Sequence, residues 1–380
     1  MIPVMRPLLG DAEAEAVAEV IASGWVAQGP RVAEFERRFA EHVGAAEGVA
    51  VSSCTTALHL ALYVLGVGPG DEVVVPSFSF IASANAVRYC GATPVFADVD
   101  PATGNLTPDT VAPVLTARTT VVMAVHQGGV PADVAALRAV CGDIPVLEDA
   151  ACAAGSTYGG RHVGAGAPLA AWSFHPRKLL TTGEGGMVTT DDHELAARMR
   201  RLREHGMSVS AADRHAAGKP VVERYLETGF NYRMTDLQAA VGIVQLGRLP
   251  DMVARRRELA ARYHELLASV RGVRAVHDPT YGTTNYQAFW VELTDRVAAS
   301  QSDVLAALAA SGVSARRGIM AAHLEPAYAG TAHVPLPVTE QLTRRTIILP
   351  LHHELTAWQQ DLVVQTLVAA TGAVPTSAGV

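Results

Sequence analysis

Short apolar runs alternate with amphipathic stretches through the first two thirds of the chain. Apolar residues recur at helical spacing over 13–22, 33–43, 55–65, 81–89, 132–140 and 192–205, which predicts helices there. The runs at 48–51, 72–75, 94–97, 120–125, 145–147 and 187–190 are predicted strands. Such alternation is typical of a sheet with helices on both faces. We therefore predict an α/β fold with a mostly parallel central sheet flanked by helices.

A different pattern follows in the last third of the chain. Long helices are predicted over 235–246 and 252–270, then a strand at 286–293, a helix at 302–311, a strand at 313–316 and a helix at 358–370. This change predicts a large domain over 1–249 and a smaller C-terminal α+β domain over 250–380, divided near Leu249-Pro250. The N-terminal segment is a candidate to pack on the smaller domain. The segment 207–222 lacks periodicity, so we expect a mobile loop that closes over ligand.

Composition narrows the class of protein. Apolar residues make up 49% of the 380 positions and charged residues 18%, which excludes a disordered chain. The net charge of −7 argues against nucleic acid and polybasic membrane contacts. The four cysteines show no metal-ligand spacing, and no signal peptide or membrane helix is evident. We expect a globular, cytoplasmic protein with reduced thiols and no metal, nucleic-acid or membrane partner.

Lys178 is the first candidate for chemistry. An apolar strand around Trp172 runs into this lysine, and a glycine-rich turn over 183–186 follows it. We expect the neighbouring Arg177 and partial burial to lower the pKa of Lys178, and such an amine can form a Schiff base with a carbonyl. Most lysines beside turns are solvated surface charges, so this feature alone leaves both interpretations open.

Asp149 and the segment 51–58 add two further pieces. Asp149 ends an apolar strand, where catalytic groups of such sheets gather, and a carboxylate there can pair with the pyridinium nitrogen of pyridoxal phosphate. The alternative is a helix or turn cap. Several residues with hydroxyl groups lie between Ser52 and Thr56, where a predicted strand ends and a helix begins. Such residues either form an anion-binding site or only cap the helix.

Together these motifs resemble the DegT/StrS family of sugar aminotransferases. The likeness extends nearly from end to end of the chain. It comprises the residues 24–25, 28–30, 55–62, 76–80, 89–96, 125–128 and 148–151, the segment around Lys178, and residues 229–240. The family consists of enzymes that use pyridoxal 5'-phosphate and have the aspartate-aminotransferase fold, fold type I. The resemblance therefore implies this fold, this cofactor and a pyridoxamine phosphate form during turnover.

The resemblance also implies roles for individual residues. Lys178 matches the lysine that binds the cofactor aldehyde, and Asp149 matches the partner of the ring nitrogen. Phe80 matches a contact with the cofactor ring, and Thr55, Thr56 and Ser173 match contacts with its phosphate. Asn231 matches a phosphate contact from the neighbouring subunit. Trp25, Arg233 and His323 match contacts with substrate. An interface salt bridge is an equal alternative for Arg233.

Two positions depart from the family pattern. Cys152 stands where the family usually has a glutamine beside the ring hydroxyl, so a thiol is the candidate partner there. Cys54 replaces the usual glycine of the phosphate turn, which requires a negative φ at that residue. The alternative for both cysteines is a small buried residue that only packs.

The implied reaction is amino transfer from glutamate or glutamine to a keto group of a nucleotide-linked deoxysugar. A homodimer with shared active sites is implied by Asn231. A cyclitol or other ketone is an alternative acceptor. A dehydratase branch has His in place of the lysine, and Lys178 argues against it. A regulatory protein that binds the cofactor without turnover is a further alternative, against which Lys178 and Asp149 count. The Ala- and Val-rich composition hints at secondary metabolism.

Overall fold

The strands define three sheets. The computed structural model describes residues 1–210, 214 and 220–372. In chain order its strands are β1 Glu47–Val51, β2 Glu72–Pro76, β3 Thr93–Ala97, β4 Thr119–Val125, β5 Val146–Asp149, β6 Thr157–Tyr158, β7 Arg161–His162, β8 Leu169–Ser173, β9 Gly186–Thr190, β10 Val273–Ala275, β11 Gly282–Thr283, β12 Phe289–Leu293, β13 Arg316–Arg317 and β14 Thr346–Leu349.

The helices connect and cover these strands. In chain order they are α1 Asp11–Ser23, α2 Pro30–Val43, α3 Cys54–Val64, α4 Ala82–Tyr89, α5 Pro108–Val111, α6 Val134–Cys141, α7 His193–Leu202, α8 Asp236–Leu267, α9 Gln301–Ala310, α10 Pro337–Arg345 and α11 Ala357–Thr371.

The central sheet has the strand order β1-β9-β8-β5-β4-β2-β3. Only β9 runs against its neighbours, since it pairs antiparallel with both β1 and β8 while the other pairs are parallel. Both faces are buried. In β2, Val73 and Val75 pack in the core beneath α3, α4 and α7, while Val74 packs with α5 and α6 on the opposite face. The mostly parallel sheet predicted from the sequence is confirmed.

A second core lies in the C-terminal part. Its antiparallel sheet has the order β10-β12-β14-β13, and β12 and β14 pack with α9, α11 and the last turns of α8. Ile2 joins this core through a parallel bridge to Val313. The division into domains at 249 and 250 stays a prediction. A small sheet, β11-β6-β7, links residues on either side of that division.

The structure corrects three predicted elements. The helices predicted over 235–246 and 252–270 are one helix, α8, which passes through Pro250. Leu249 packs in one core and Leu259 in the other, and this burial offsets the backbone hydrogen bond that proline cannot make. Of the strand predicted at 313–316 only Arg316 belongs to a strand, β13, and β14 was missed. The strand predicted at 286–293 begins only at Phe289.

Two further predictions concern exposed or apolar segments. Residues 211–213 and 215–219 of the predicted mobile loop lie outside the described residues, and Met207 at its start forms an isolated bridge with Tyr225. Within the described ranges, no helix combines the length and the apolar composition that crossing a bilayer requires.

Candidate active site

A cavity of about 330 Å³ opens at one edge of the central sheet. The strands β4, β5 and β8 are parallel neighbours and end there at Val125, Asp149 and Ser173, while α3 begins beside them at Cys54. Parallel strands bring their carboxyl ends to one edge, which explains why residues distant in sequence meet. The sequence-predicted residues that line this cavity are Thr55, Phe80, Asp149, Cys152, Ser173 and Lys178.

Asp149 is buried at the end of β5 and held in one orientation. Ser83 donates its hydroxyl hydrogen to Oδ2 at 2.9 Å, and the Ala151 N–H donates to Oδ1 at 3.2 Å. Burial raises the pKa of Asp149, while these hydrogen bonds and the nearby Lys178 charge oppose that rise. The carboxylate is therefore positioned to take a cationic partner. Ser83 was missed from the sequence, where it is only a polar residue in the first turn of α4.

Lys178 faces Cys152 across the cavity. Its Nζ lies 3.0 Å from the Cys152 Sγ. Burial lowers the pKa of Lys178, but the contacts with Cys152, followed by Cys54 and Asp149, outweigh it, so that the net pKa is raised. The lowered pKa predicted from Arg177 is wrong. Arg177 is exposed, and its charge is not among the influences that set the pKa of this amine.

The start of α3 forms one end of the cavity, where an anion site was predicted. Ser53 caps the helix, because its hydroxyl accepts from the Thr56 N–H at 3.2 Å while the Thr56 hydroxyl accepts from the Ser53 N–H at 3.0 Å. Thr56 is thereby occupied by the cap and is not among the residues that line the cavity. Cys54 is the first helical residue and its φ is negative, as its place in this turn requires. Burial raises its pKa well above the usual value.

Gly186 allows the first turn of α3 to pack closely against β9 at this end of the cavity. A Cβ at Gly186 would stand 2.6 Å from the Cys54 nitrogen and even closer to the Ser53 carbonyl. Only glycine lets β9 pass so near the first turn of α3. The sequence shows the glycine-rich turn before β9, but the close approach becomes evident only in the fold.

The remaining predicted residues lie outside this cavity in their own chain. Asn231 is exposed. Trp25 and Arg233 line a separate cleft of about 490 Å³. His323 is buried, and its Nδ1 lies 2.6 Å from the Ser77 hydroxyl. The functional roles assigned to these four residues stay predictions.

The residues present fit pyridoxal phosphate. A buried carboxylate suits the ring nitrogen, an amine suits the aldehyde, and the start of α3 suits the phosphate through its free N–H groups and dipole. Phe80, which is 63% exposed and lines the cavity, offers an aromatic ring to cover the cofactor.

Comparison with known proteins agrees with this fit. The family model described as DegT/DnrJ/EryC1/StrS aminotransferase family matches residues 7–368. The chain belongs to this family. It is similar to the spore coat polysaccharide biosynthesis protein SpsC of Bacillus subtilis, with 38% identity over 375 residues that cover 96% of each chain.

Solved structures of family members superpose on nearly the whole chain. The aminotransferase TlmJ from Streptoalloteichus hindustanus is 40% identical with a TM-score of 0.90, covering 98% of this chain and 99% of its own. The putative sugar aminotransferase Spr1654 from Streptococcus pneumoniae in its PMP form is 28% identical with a TM-score of 0.91 and the same coverage. Its PLP form is also known. The chain is a pyridoxal-phosphate-dependent aminotransferase of fold type I.

Proposed function

We propose that the protein transfers an amino group from glutamate or glutamine to a keto group of a nucleotide-linked deoxysugar, in the biosynthesis of an amino sugar. The observation that carries this proposal is the convergence of Asp149, Lys178 and the start of α3 on one cavity. The relatives support the sugar acceptor, since one is named for polysaccharide biosynthesis and another as a sugar aminotransferase.

The cavity residues divide the work of the reaction. Bound pyridoxal phosphate supplies a ring that stabilises negative charge at the carbon that loses a proton. Asp149 would keep the ring nitrogen protonated. The Nζ of Lys178 would hold the aldehyde until the amine of the donor displaces it, and the freed Lys178 amine would then remove and return the proton. The N–H groups of Cys54 and Thr55, with Ser173, bind the phosphate. Further contacts to the ring come from Phe80 and Cys152.

Two neighbouring arginines suit an anionic acceptor: Arg177 lines the cavity, and Arg316 lies near Arg177. Burial, followed by the charge of nearby Arg177, lowers the pKa of Arg316. Within the described residues neither guanidinium forms an ion pair. Both side chains are exposed, so they are available to bind the diphosphate that a nucleotide-linked sugar carries. Because the chain has a net charge of −7, attraction of that diphosphate depends on such local cations.

We further propose a homodimer in which each subunit completes the site of the other. Asn231 supports this arrangement, because it lies on the surface and outside the cavity of its own chain. Its neighbour Tyr232 accepts a hydrogen bond through its carbonyl from the Ser52 N–H at 2.8 Å. The exposed amide of Asn231 is thus carried on a segment anchored beside the phosphate end.

An acceptor panel tests the proposed reaction. Protein loaded with pyridoxal phosphate is incubated with L-glutamate or L-glutamine and either a nucleotide-linked keto-deoxysugar or a cyclitol ketone, and products are identified by mass spectrometry. We expect an aminated nucleotide sugar. Amination of the cyclitol ketone alone would replace the proposed acceptor class.

A further inference from the structure

Gln287 brackets the backbone of Lys178 from a distant part of the chain. Its Nε2 donates to the Arg177 carbonyl at 2.6 Å, and its Oε1 accepts from the Leu179 N–H at 2.9 Å. One amide side chain thus holds the peptide groups on both sides of the lysine. Both bonds orient the backbone from which the Lys178 side chain extends.

Asn285 holds the other half of the Lys178–Cys152 contact. Its Nδ2 donates to the Cys152 carbonyl at 2.9 Å and to the Ala154 carbonyl at 2.7 Å. Its Oδ1 accepts from the Gln287 N–H at 2.8 Å, so the Asn285 side chain is fixed to the backbone that carries Gln287. A single short segment therefore sets the backbone positions of both residues whose side chains meet at 3.0 Å.

The segment that carries these two amides is itself firmly held. The buried Arg256 donates from Nη1 to the Tyr286 carbonyl at 2.8 Å, and Arg257 donates from Nη1 to the Thr284 carbonyl at 2.7 Å. Tyr286 has a φ of 49°, which a side-chain-bearing residue rarely adopts. Such a conformation persists only where the surroundings enforce it, and it clusters at functional sites.

We propose that Asn285 and Gln287 are positioning residues that transmit the rigidity of the C-terminal core to the catalytic amine. Phe289, two residues further on, begins β12 and packs in that core. The amine of Lys178 must reach both the cofactor and the carbon that loses its proton, and small errors in placement are costly to such transfers. The proposal concerns the lysine and is independent of the acceptor.

The test compares Gln287→Met with a matched control, Gln301→Met. The Nε2 of Gln301 also bonds two backbone carbonyls, those of Thr343 and Thr346, but it lies in the C-terminal part away from the cavity. Hydrogen exchange at the Leu179 amide is measured in the cofactor-free protein. The single-turnover rate with L-glutamate is measured in the loaded protein.

Gln287→Met is expected to accelerate Leu179 exchange by about tenfold, as loss of one net hydrogen bond implies. The single-turnover rate should fall by roughly tenfold to a hundredfold, with little change in the glutamate concentration for half-maximal rate. Gln301→Met should match the wild type in both. Wild-type exchange in Gln287→Met, or equal losses in the control, would overturn the proposal.

Gln287→Glu separates the two bonds and serves if the methionine variant does not fold. A carboxylate keeps the acceptor for the Leu179 N–H but loses the donor to the Arg177 carbonyl. We expect wild-type protection of Leu179 and an intermediate turnover rate. A turnover rate equal to the wild type would contradict the positioning role. Because exchange is read on cofactor-free protein, failure of the proposed donor would leave that measurement valid.

Discussion

Two opposing influences act on the pKa of Lys178, whose amine contacts the thiol of Cys152. Burial favours a neutral amine, while the sulfur and the Asp149 carboxylate favour the ammonium, and the second influence prevails. Before the cofactor binds, the amine must lose its proton to react with an aldehyde. Cys152 therefore tunes the chemistry of the lysine at a position where the family usually has an amide.

Replacing Cys152 by alanine should lower the pKa of Lys178. Burial is already the largest single influence on this pKa and favours the neutral amine, and removal of the sulfur takes away the strongest influences that oppose it. The variant amine should therefore react at lower pH than the wild-type amine. The pH dependence of acylation of Lys178 in cofactor-free protein, followed by mass spectrometry, measures this shift.

The control is Cys141→Ala, which removes a buried cysteine between α6 and the sheet, away from the cavity. It should leave the reactivity profile of Lys178 unchanged. A profile for Cys152→Ala that is unchanged or moved to higher pH would show that the sulfur does not stabilise the ammonium.

Sequence reasoning reaches some of these residues and not others, for a physical reason. The convergence of Asp149 and Lys178 could be predicted because Asp149 ends β5 and Lys178 follows the end of β8, and parallel strands gather their ends at one edge. The supporting side chains Ser83, Asn285 and Gln287 come from segments that meet only through tertiary packing. The predicted direction of the pKa shift of Lys178 was wrong for the same reason, because the sulfur that contacts the amine belongs to Cys152, which is distant in sequence.

The pairing of β9 with β8 and β1 determines how near the strand passes to α3. Gly186 lies at the first position of β9, against the cap of α3. This close approach fixes the position of the helix start, whose residues Ser53, Cys54 and Thr55 line the cavity. The phosphate end of the site thus depends on two elements and on the absence of one side chain.

Gly186→Ala should weaken cofactor binding by displacing the first turn of α3. Overpacking of this kind costs about 1–3 kcal/mol in the free energy of unfolding. Titration with pyridoxal phosphate, followed by fluorescence, should show roughly tenfold lower affinity, since misplaced N–H groups bind the phosphate less well. Thermal unfolding measures the accompanying loss of stability.

Gly247→Ala is the matched control. Gly247 lies inside α8, and a Cβ there meets nothing within 4 Å. Alanine in a helix interior is favoured over glycine by about 1 kcal/mol, so stability should be kept or raised and affinity unchanged. Wild-type affinity in Gly186→Ala would contradict the account of the phosphate end.

Element prediction failed where local signals were weak. β14 is four residues long and follows α10 directly, so its apolar run reads equally as the end of a helix. Pro250 argued for a break, yet α8 continues because its two halves pack in different cores. In both cases tertiary packing decided what the local pattern left open.

The proposed homodimer makes the active site a property of two chains. Lys178 of one subunit and Asn231 of the other would serve the same cofactor. Two inactive variants, Lys178→Ala and Asn231→Ala, can then rescue each other in a mixed dimer. One site of that dimer has both defects, and the other has none.

Co-expression of the two variants with different tags tests this sharing. An equal mixture should recover about a quarter of wild-type activity, because half the dimers are mixed and each has one intact site. Purified mixed dimers should have about half of wild-type activity, and the activities of the mixture and of these dimers are the measurements, with each variant alone as the control. A mixture no more active than the two variants measured separately would place Asn231 in the site of its own chain or outside any site.

The visible absorption spectrum tests the central claim most directly. Wild-type protein loaded with pyridoxal phosphate should show the band of the lysine-bound cofactor, and L-glutamate or L-glutamine should bleach it to the pyridoxamine form. Lys178→Ala should lack that band and the response to donor. A wild type with no band after saturation with cofactor, or a Lys178→Ala variant with the same band and the same bleaching, would contradict the assignment of Lys178 and of the cavity around it.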